Sequence, residues 1–316
     1  MKQEIQKVRT FLKYLIFSQW YKNREISAYP YTKKEFIEII NNPSRVCEEF
    51  PRKIWMYWEG ELIPYIVQRC VQRIKDLNQS FQVIFLDPES LVKYLPNFNI
   101  ENLEMPLANK ADLIRLELLY RYGGIWMDAT IILNESLDWT LHIIDEKRYD
   151  CIGFWKENST KNLEYPVIES WFLCCPPNSP FIKDWLDELR PLGQIGAKKY
   201  FEQIRRKSNY VDIIQDIDRP EYLLVYLAQQ AVMQEKNNFN VCLQSAEKIS
   251  FYYQEKLNWN FKKINFEFML KSAQKLPPII KLINHNFSNI DYCKINGFIN
   301  KKSVIGQLFD SQINND

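Results

Sequence analysis

The chain has 316 residues but only 8 glycines and 2 histidines. It contains neither a Gly-x-Gly-x-x-Gly turn nor a Gly-x-x-x-x-Gly-Lys-Ser/Thr loop. The backbone cradle that a nucleotidyl- or phosphotransferase would normally offer to phosphate is therefore missing. The 7 cysteines show no Cys-x-x-Cys and no Cys/His spacing that would hold zinc. Their odd number, with Cys174 and Cys175 adjacent, suits reduced thiols in a cytoplasm better than a disulfide framework. Charge of one sign is lacking as well. The 41 basic and 39 acidic residues leave a net charge of +2, and the basic ones form no stripe, which excludes nucleic acid as a partner. No apolar run approaches the ~20 residues needed to cross a bilayer. The apolar stretch Phe11 to Phe17 is broken by Lys13 and leads to no small-residue cleavage site, so no signal peptide is expected.

What is abundant is aromatic: 19 Phe, 18 Tyr and 9 Trp. Most such rings fill cores, and some present their faces to sugars or bases. With 46% hydrophobic and 25% charged residues, the composition is that of an ordinary globular protein. A chain of this length removes roughly three quarters of its unfolded surface from water. Residues 4–21 are expected to form a basic helix, with Val8, Phe11, Leu12, Leu15 and Ile16 on one face and Lys2, Lys7, Arg9, Lys13, Lys22 and Arg24 around it. That face either docks on the core or meets an anionic membrane surface. A second short helix is expected over residues 32–41. From Pro51 onward strands and helices alternate. Strands are expected at 53–58, 81–86, 125–127, 131–133, 151–155, 170–174 and 277–283, helices at 63–77 and 110–122, and largely helical chain from 180 to about 234. The order is that of βαβ units, and no repeat or low-complexity linker calls for a second domain.

The most informative stretch is NKADLIRLELLYRYGGIWMDAT, residues 109–130. Asp112 and Arg115 stand three apart on a helix and share a face. Taken alone, they read as the acid of a capping box begun by Asn109 and its local ion-pair mate. The continuation adds more: a helix closed by Gly123 and Gly124, then a short apolar strand that delivers Asp128 at its C-terminal end, where open α/β sheets bind ligands. This run resembles the signature of glycosyltransferase family 32 and its relatives, which include bacterial capsular polysaccharide synthesis proteins and the glucosylating clostridial toxins. PRKIWMYW (51–58), ESWFL (169–173) and DRPEYL (218–223) extend the resemblance over residues 51–285, and it is strongest for the capsular subgroup.

The resemblance implies a GT-A-type, Rossmann-like α/β domain over residues 46–316, with a mixed, mostly parallel sheet flanked by helices and an N-terminal helical extension over 1–45. It implies that Trp58 stacks on the base of a nucleoside-diphosphate sugar, most simply a UDP-sugar, and that Asp112 and Arg115 hold hydroxyls of the donor sugar. Trp126, in the aromatic place two residues before the acid, would join the donor-binding residues. Asp128 is the first acid of an Asp-x-Asp motif whose second acid is replaced by Thr130. Breaking a sugar–diphosphate bond leaves negative charge on the diphosphate, which a divalent cation or fixed basic groups must meet. Asp128, Thr130 and diphosphate oxygens would suit Mn²⁺ or Mg²⁺. His285 is either a further ligand or a surface residue, and Lys281 either a phosphate partner or an ordinary solvated lysine. The family's usual retention of anomeric configuration leaves two routes. In a double displacement Glu169 would be the nucleophile; in front-face attack Glu169 would bind acceptor or sugar, or stand idle at a strand edge. Asp218-Arg219-Pro220 reads as a helix cap, with an acceptor-binding role left open by the resemblance, and Gln229 and Gln230 as helix-surface groups. The expected function is hexosyl transfer to a saccharide or lipid-linked saccharide acceptor in surface polysaccharide synthesis. It would take place in the cytoplasm or at the inner face of the membrane, with peripheral membrane contact through the N-terminal helix. The rival functions are a non-catalytic sugar-nucleotide-binding protein and a nucleotidyl- or phosphotransferase.

Overall fold

The computed structural model describes residues 2–31, 35–98, 105–146, 148–283 and 289–310. Among them the strands are β1 (Ile37–Ile40), β2 (Lys53–Tyr57), β3 (Gln82–Leu86), β4 (Gly124–Met127), β5 (Ile131–Leu133), β6 (Cys151–Trp155), β7 (Ile168–Cys175), β8 (Asn240–Ser245) and β9 (Ile279–Lys281). Seven form one sheet in the order β1-β8-β6-β7-β4-β2-β3, and β5 pairs with β9 in a small second sheet. β2 is parallel to β3 and β4, and β6 is parallel to β8. β7 runs against both β4 and β6, and β1 runs against β8. Thus β2, β3, β4, β6 and β8 point one way and only β1 and β7 oppose them, which is the mixed, mostly parallel sheet expected.

Side chains alternate across this sheet and divide the core into two layers. Ile54, Met56, Ile125 and Met127 enter one apolar cluster, with the Tyr65–Leu77 and Phe261–Leu270 helices. Trp55, Tyr57, Trp126 and Leu173 enter the other, with the Leu107–Tyr122, Pro180–Leu189 and Leu224–Lys236 helices. The N-terminal Lys2–Tyr21 helix rests on the first layer through Tyr14 and Phe17, whose rings lie 5.4 and 4.8 Å from that of Phe266.

The helix expected over residues 32–41 is not formed. Residues 32–34 lie outside the described residues, and Ile37–Ile40 is a strand paired with β8. The alternation explains why: Ile37 and Ile39 pack on the second core layer, while Glu38 between them accepts a 2.6 Å hydrogen bond from the Tyr149 hydroxyl. A period of two with β-branched residues is a strand pattern. The stretch before residue 46 is therefore stitched into the sheet. β8 itself went unexpected because its ends, Asn240 and Gln244-Ser245, are polar, although every residue in it is buried.

Two scarce glycines set the path into β4. The Leu107–Tyr122 helix ends at Gly123 (φ 60°), and Gly124 follows at φ 98°. A Cβ on Gly124 would stand 2.6 Å from the Lys53 carbonyl oxygen, so only glycine lets β4 lie this close to β2. Gly196 shares a positive φ of 80° but has open space around it. Gly124→Ala is expected to cost more than the ~1–3 kcal/mol of backbone strain alone, and Gly196→Ala less than Gly124→Ala. Denaturant unfolding of the two variants checks the order; equal losses would show that the approach of β4 to β2 is not a constraint.

Candidate active site

The Leu107–Tyr122 helix starts after Pro106, which holds the capping place without a side-chain bond, and Asn109 lies buried inside the first turn. The capping-box account of Asp112 therefore fails. Its ion-pair account holds, because the Arg115 guanidinium donates to the Asp112 carboxylate one turn away. Both side chains are buried and look toward the C-terminal end of β4. Trp126 and Asp128 stand two residues apart, so they leave the sheet on the same face, the one that meets this helix. Arg115 Nη2 lies 3.0 Å from Asp128 Oδ1, Trp126 Nε1 donates to the same oxygen at 3.2 Å, and the guanidinium sits 5.1 Å from the Trp126 ring centre. Trp126 was expected to touch the donor. It is only 1% exposed, and its part is to hold Asp128 and Arg115 in place.

From the other side β5 and β9 bring in a second cation. Ile131 is paired with Lys281, and the Leu282 amide donates to the Thr130 carbonyl at 3.2 Å. This register places Lys281 Nζ 2.9 Å from Asp128 Oδ2 and 3.0 Å from Thr130 Oγ1. Gln254 fixes the strand by donating to the Lys281 carbonyl at 2.7 Å. Lys281 is thus a buried partner of Asp128, not a solvated surface lysine.

Glu169, at the start of β7, is 3% exposed and accepts a hydrogen bond from the Tyr226 hydroxyl. It is not an idle acid at an exposed edge. Gln229 and Gln230 are fully buried rather than on the helix surface, and they clamp the entry to β7. Gln229 accepts from the Ile168 amide at 3.2 Å, and Gln230 donates to the Tyr165 carbonyl at 2.9 Å. Asp218 caps no helix; it pairs with Lys156 at 3.0 Å, and the helix that follows starts after Leu223 without a side-chain cap. Trp58 follows β2, next to β4 in the sheet, with its amide bonded to the Leu86 carbonyl at 2.9 Å. Its ring is half-buried and its indole N–H has no partner. The structure therefore gathers Asp112, Arg115, Trp126, Asp128, Thr130 and Lys281 into one bonded cluster, with Trp58 at the neighbouring strand end. His285 lies outside the described residues.

The acids are shifted in different directions. Burial pushes the Asp112 carboxyl up to about 6 against the pull of Arg115. Burial also opposes ionisation of Asp128, but Lys281 first and Arg115 next outweigh it and hold that carboxyl below its ordinary range. Glu169 is raised by burial, which Lys156 and the Tyr226 hydrogen bond only partly offset. For a metal, the useful observation is the Lys281 ammonium: Asp128 Oδ2 and Thr130 Oγ1 converge on it, so together they define a point that favours a cation. Hard oxygen donors of this kind fit Mg²⁺ or Mn²⁺ when substrate phosphates complete the shell. Among the described residues no three His, Cys, Asp or Glu gather to form a cage without substrate.

Opposite pH dependences follow for the two aspartates. The unfolded chain releases the Asp112 proton before the folded one does, so the stability this group contributes falls as pH rises from 3.8 to about 6. Asp128 contributes stability above 3.8 that is lost as pH falls through its lowered value. Asp112→Asn should accordingly gain melting temperature relative to wild type between about pH 4 and 6. Asp128→Asn should show its full deficit at neutral pH and lose it in strong acid. Melting curves over pH check both, and parallel trends for the two variants would contradict the assignment.

The family model for capsular polysaccharide synthesis proteins matches residues 10–289. O-glycosyltransferase braB of Annulohypoxylon truncatum is 26% identical over 160 residues, 45% of this chain and 37% of that protein. Inositol phosphoceramide mannosyltransferase 3 of Schizosaccharomyces pombe is 28% identical over 110 residues, 33% of this chain and 30% of that protein. The chain spans less than half the length of these curated relatives. Among solved structures, apo mouse xyloside xylosyltransferase 1 superposes with a TM-score of 0.40 at 9% identity, over 75% of this chain and 99% of that one. The galactosyltransferase LgtC with donor and acceptor sugar analogues gives 0.37 at 10% identity, over 78% and 96%. With the family model covering residues 10–289, the chain belongs to the capsular polysaccharide synthesis protein family.

Proposed function

We propose that the protein is a glycosyltransferase that moves a hexose from a nucleoside-diphosphate sugar, UDP-linked, to a saccharide acceptor in surface polysaccharide synthesis. The observation that carries this reading is the Asp128 carboxylate held between Arg115 and Lys281 at the C-terminal end of β4, one strand from Trp58. Trp58 offers a ring face to the base, and Asp112 and Arg115 meet hydroxyls of the donor sugar. Lys281 and Arg115 face the charge that grows on the leaving diphosphate, where fixed donors act without reorganising. A divalent cation, Mn²⁺ or Mg²⁺, would be held by Asp128 and Thr130 in the place the Lys281 ammonium takes here, with Lys281 turned to the diphosphate, and would supply Lewis-acid stabilisation of the same charge. The buried Glu169, with its raised pKa and its bond to Tyr226, suits hydrogen bonding to a sugar better than nucleophilic attack. That favours front-face transfer with retention.

Incubation with a panel of nucleoside-diphosphate sugars, scored by release of nucleoside diphosphate, tests the reading. Wild type should turn over at least one donor, and Asp128→Asn should lose about 10²–10³-fold in kcat, the scale of one lost transition-state contact. Trp58→Ala should weaken UDP binding by about 1–3 kcal/mol, as for other base–ring stacks. A chelator should lower turnover; full activity without metal would assign the charge stabilisation to Lys281 and Arg115 alone. No turnover of any donor by wild type would leave a sugar-nucleotide-binding protein.

The N-terminal helix supports a peripheral membrane role. Tyr14 and Phe17 dock on the core, yet Val8, Leu12, Leu15, Ile16 and Trp20 form a second, exposed apolar stripe, with Ile16 and Trp20 each 60% exposed. Lys13, Lys22 and Arg24 flank it. An apolar stripe beside basic residues fits the interface of anionic lipid, where a lipid-linked acceptor resides. Flotation with phosphatidylglycerol vesicles should carry wild type but not the Ile16→Glu/Trp20→Glu double variant. Equal recovery of both in the soluble fraction would refute the contact.

A further inference from the structure

A cavity opens on the same edge of the sheet as Asp128, at the C-terminal ends of β6 and β8. Its volume is about 250 Å³, and Trp155, Gln244 and Ser245 line it from the sheet while Tyr29 and Phe36 close it from the N-terminal segment. Gln244 is 2% exposed, and its Nε2 is buried without a hydrogen-bond partner. A buried amide donor left unpaired costs on the order of 1–3 kcal/mol, so it calls for a ligand that supplies the acceptor. The rings are fixed beforehand. The Tyr29 amide donates to the Lys275 carbonyl at 3.0 Å, and its ring packs edge-on against Tyr31 and Tyr252 at 5.1 and 5.2 Å.

The lining also selects the ligand's charge. Among the described residues Glu35 and Glu135 stand at the cavity, and the one lysine there, Lys248, is 3.3 Å from Glu35, so none of them offers a spare cation to phosphate or carboxylate. An uncharged ligand rich in hydroxyls, with C–H faces that lie on aromatic rings, satisfies all of these features. The volume is below the ~300–1,000 Å³ of drug-sized sites and suits one pyranose ring. Position completes the case. Trp155 is paired with Ile168, the neighbour of Glu169, whereas Asp128 lies beside Trp171, so two strand spacings of about 4.8 Å across and three residues along β7 put the cavity roughly 14 Å from Asp128. The route along β9 from Lys281 back to the lining residue Pro278 is about 10 Å for three residues. A short oligosaccharide spans that gap, and a single sugar does not.

We infer that this cavity is an acceptor subsite that holds an uncharged pyranose ring of the acceptor chain at a distance from the reacting hydroxyl, with Gln244 donating to a ring hydroxyl. The inference rests on the glycosyltransferase reading for its role, but not for its binding. Ligand-observed NMR with methyl glucoside, methyl galactoside, methyl mannoside, N-acetylglucosamine, lactose and maltotriose should show at least one of them bound to wild type. Gln244→Met keeps the volume and removes an unpaired amide, so its melting temperature should match or exceed that of wild type while affinity for that sugar falls at least tenfold. Phe36→Ala should weaken the same sugar. In transfer assays Gln244→Met should raise KM for trisaccharide acceptors far more than for monosaccharides. Absence of binding by every sugar, equal binding by Gln244→Met, or preference for glucose 6-phosphate over the neutral sugars would overturn the subsite. Sugar binding that depends on Gln244 without turnover of any donor would sink the transferase reading and leave the cavity assigned. Donor turnover without such binding would do the reverse.

Discussion

One carboxylate organises the edge of the sheet at which the candidate site lies. Asp128 has an oxygen for each of two cations that reach it from opposite directions, Arg115 from the helix before β4 and Lys281 from the strand after it in space. Neither cation is free to drift. Arg115 is tied to Asp112 and lies over Trp126, and the backbone of Lys281 is pinned by Gln254. Burying four charges so closely is tolerable only because each is paired, and removing any one leaves the others uncompensated. The arrangement holds two cations, matched at neutral pH by the ionised Asp112 and Asp128, at the point where a diphosphate would arrive. It does so with little of the flexibility that a surface lysine would bring.

The two core layers serve this arrangement. Trp126 belongs to the helical layer that carries Arg115, while Met127 belongs to the layer on which the Tyr65–Leu77 helix packs. A slip of one residue in β4 would turn Asp128 toward the wrong layer. Gly123 and Gly124 fix that register by allowing a turn that no other residue would tolerate at this spacing. The scarcity of glycine elsewhere in the chain makes their pairing here informative about where the backbone is most constrained.

The sequence was legible where partners are close along the chain or where periodicity is clean. Asp112, Arg115, Trp126 and Asp128 fall within one continuous motif, and the structure brings them together in one cluster. The alternation of strands and helices from β2 onward was readable for the same reason. What escaped depended on distance and burial. Tyr226 meets Glu169 from 57 positions away, and Gln229 and Gln230 look like surface groups until β7 is laid against them. Trp126 resembled a ligand-facing ring because a motif records spacing and not exposure. Ile37–Ile40 was misread because a short strand at a sheet edge has too few residues to declare its period against a nearby helical pattern.

That edge strand has a consequence for how the molecule tolerates trimming. β1 lies outside β8 and is only four residues long, with Glu38 in its middle. A short strand carrying a charge is a poor template for further pairing, whereas β8 behind it is longer and buried throughout. A chain begun after residue 46 would expose the backbone donors and acceptors of β8 to solvent and to other copies. Self-association through that bared edge would then compete with folding, although every residue of the Asp128 cluster would still be present.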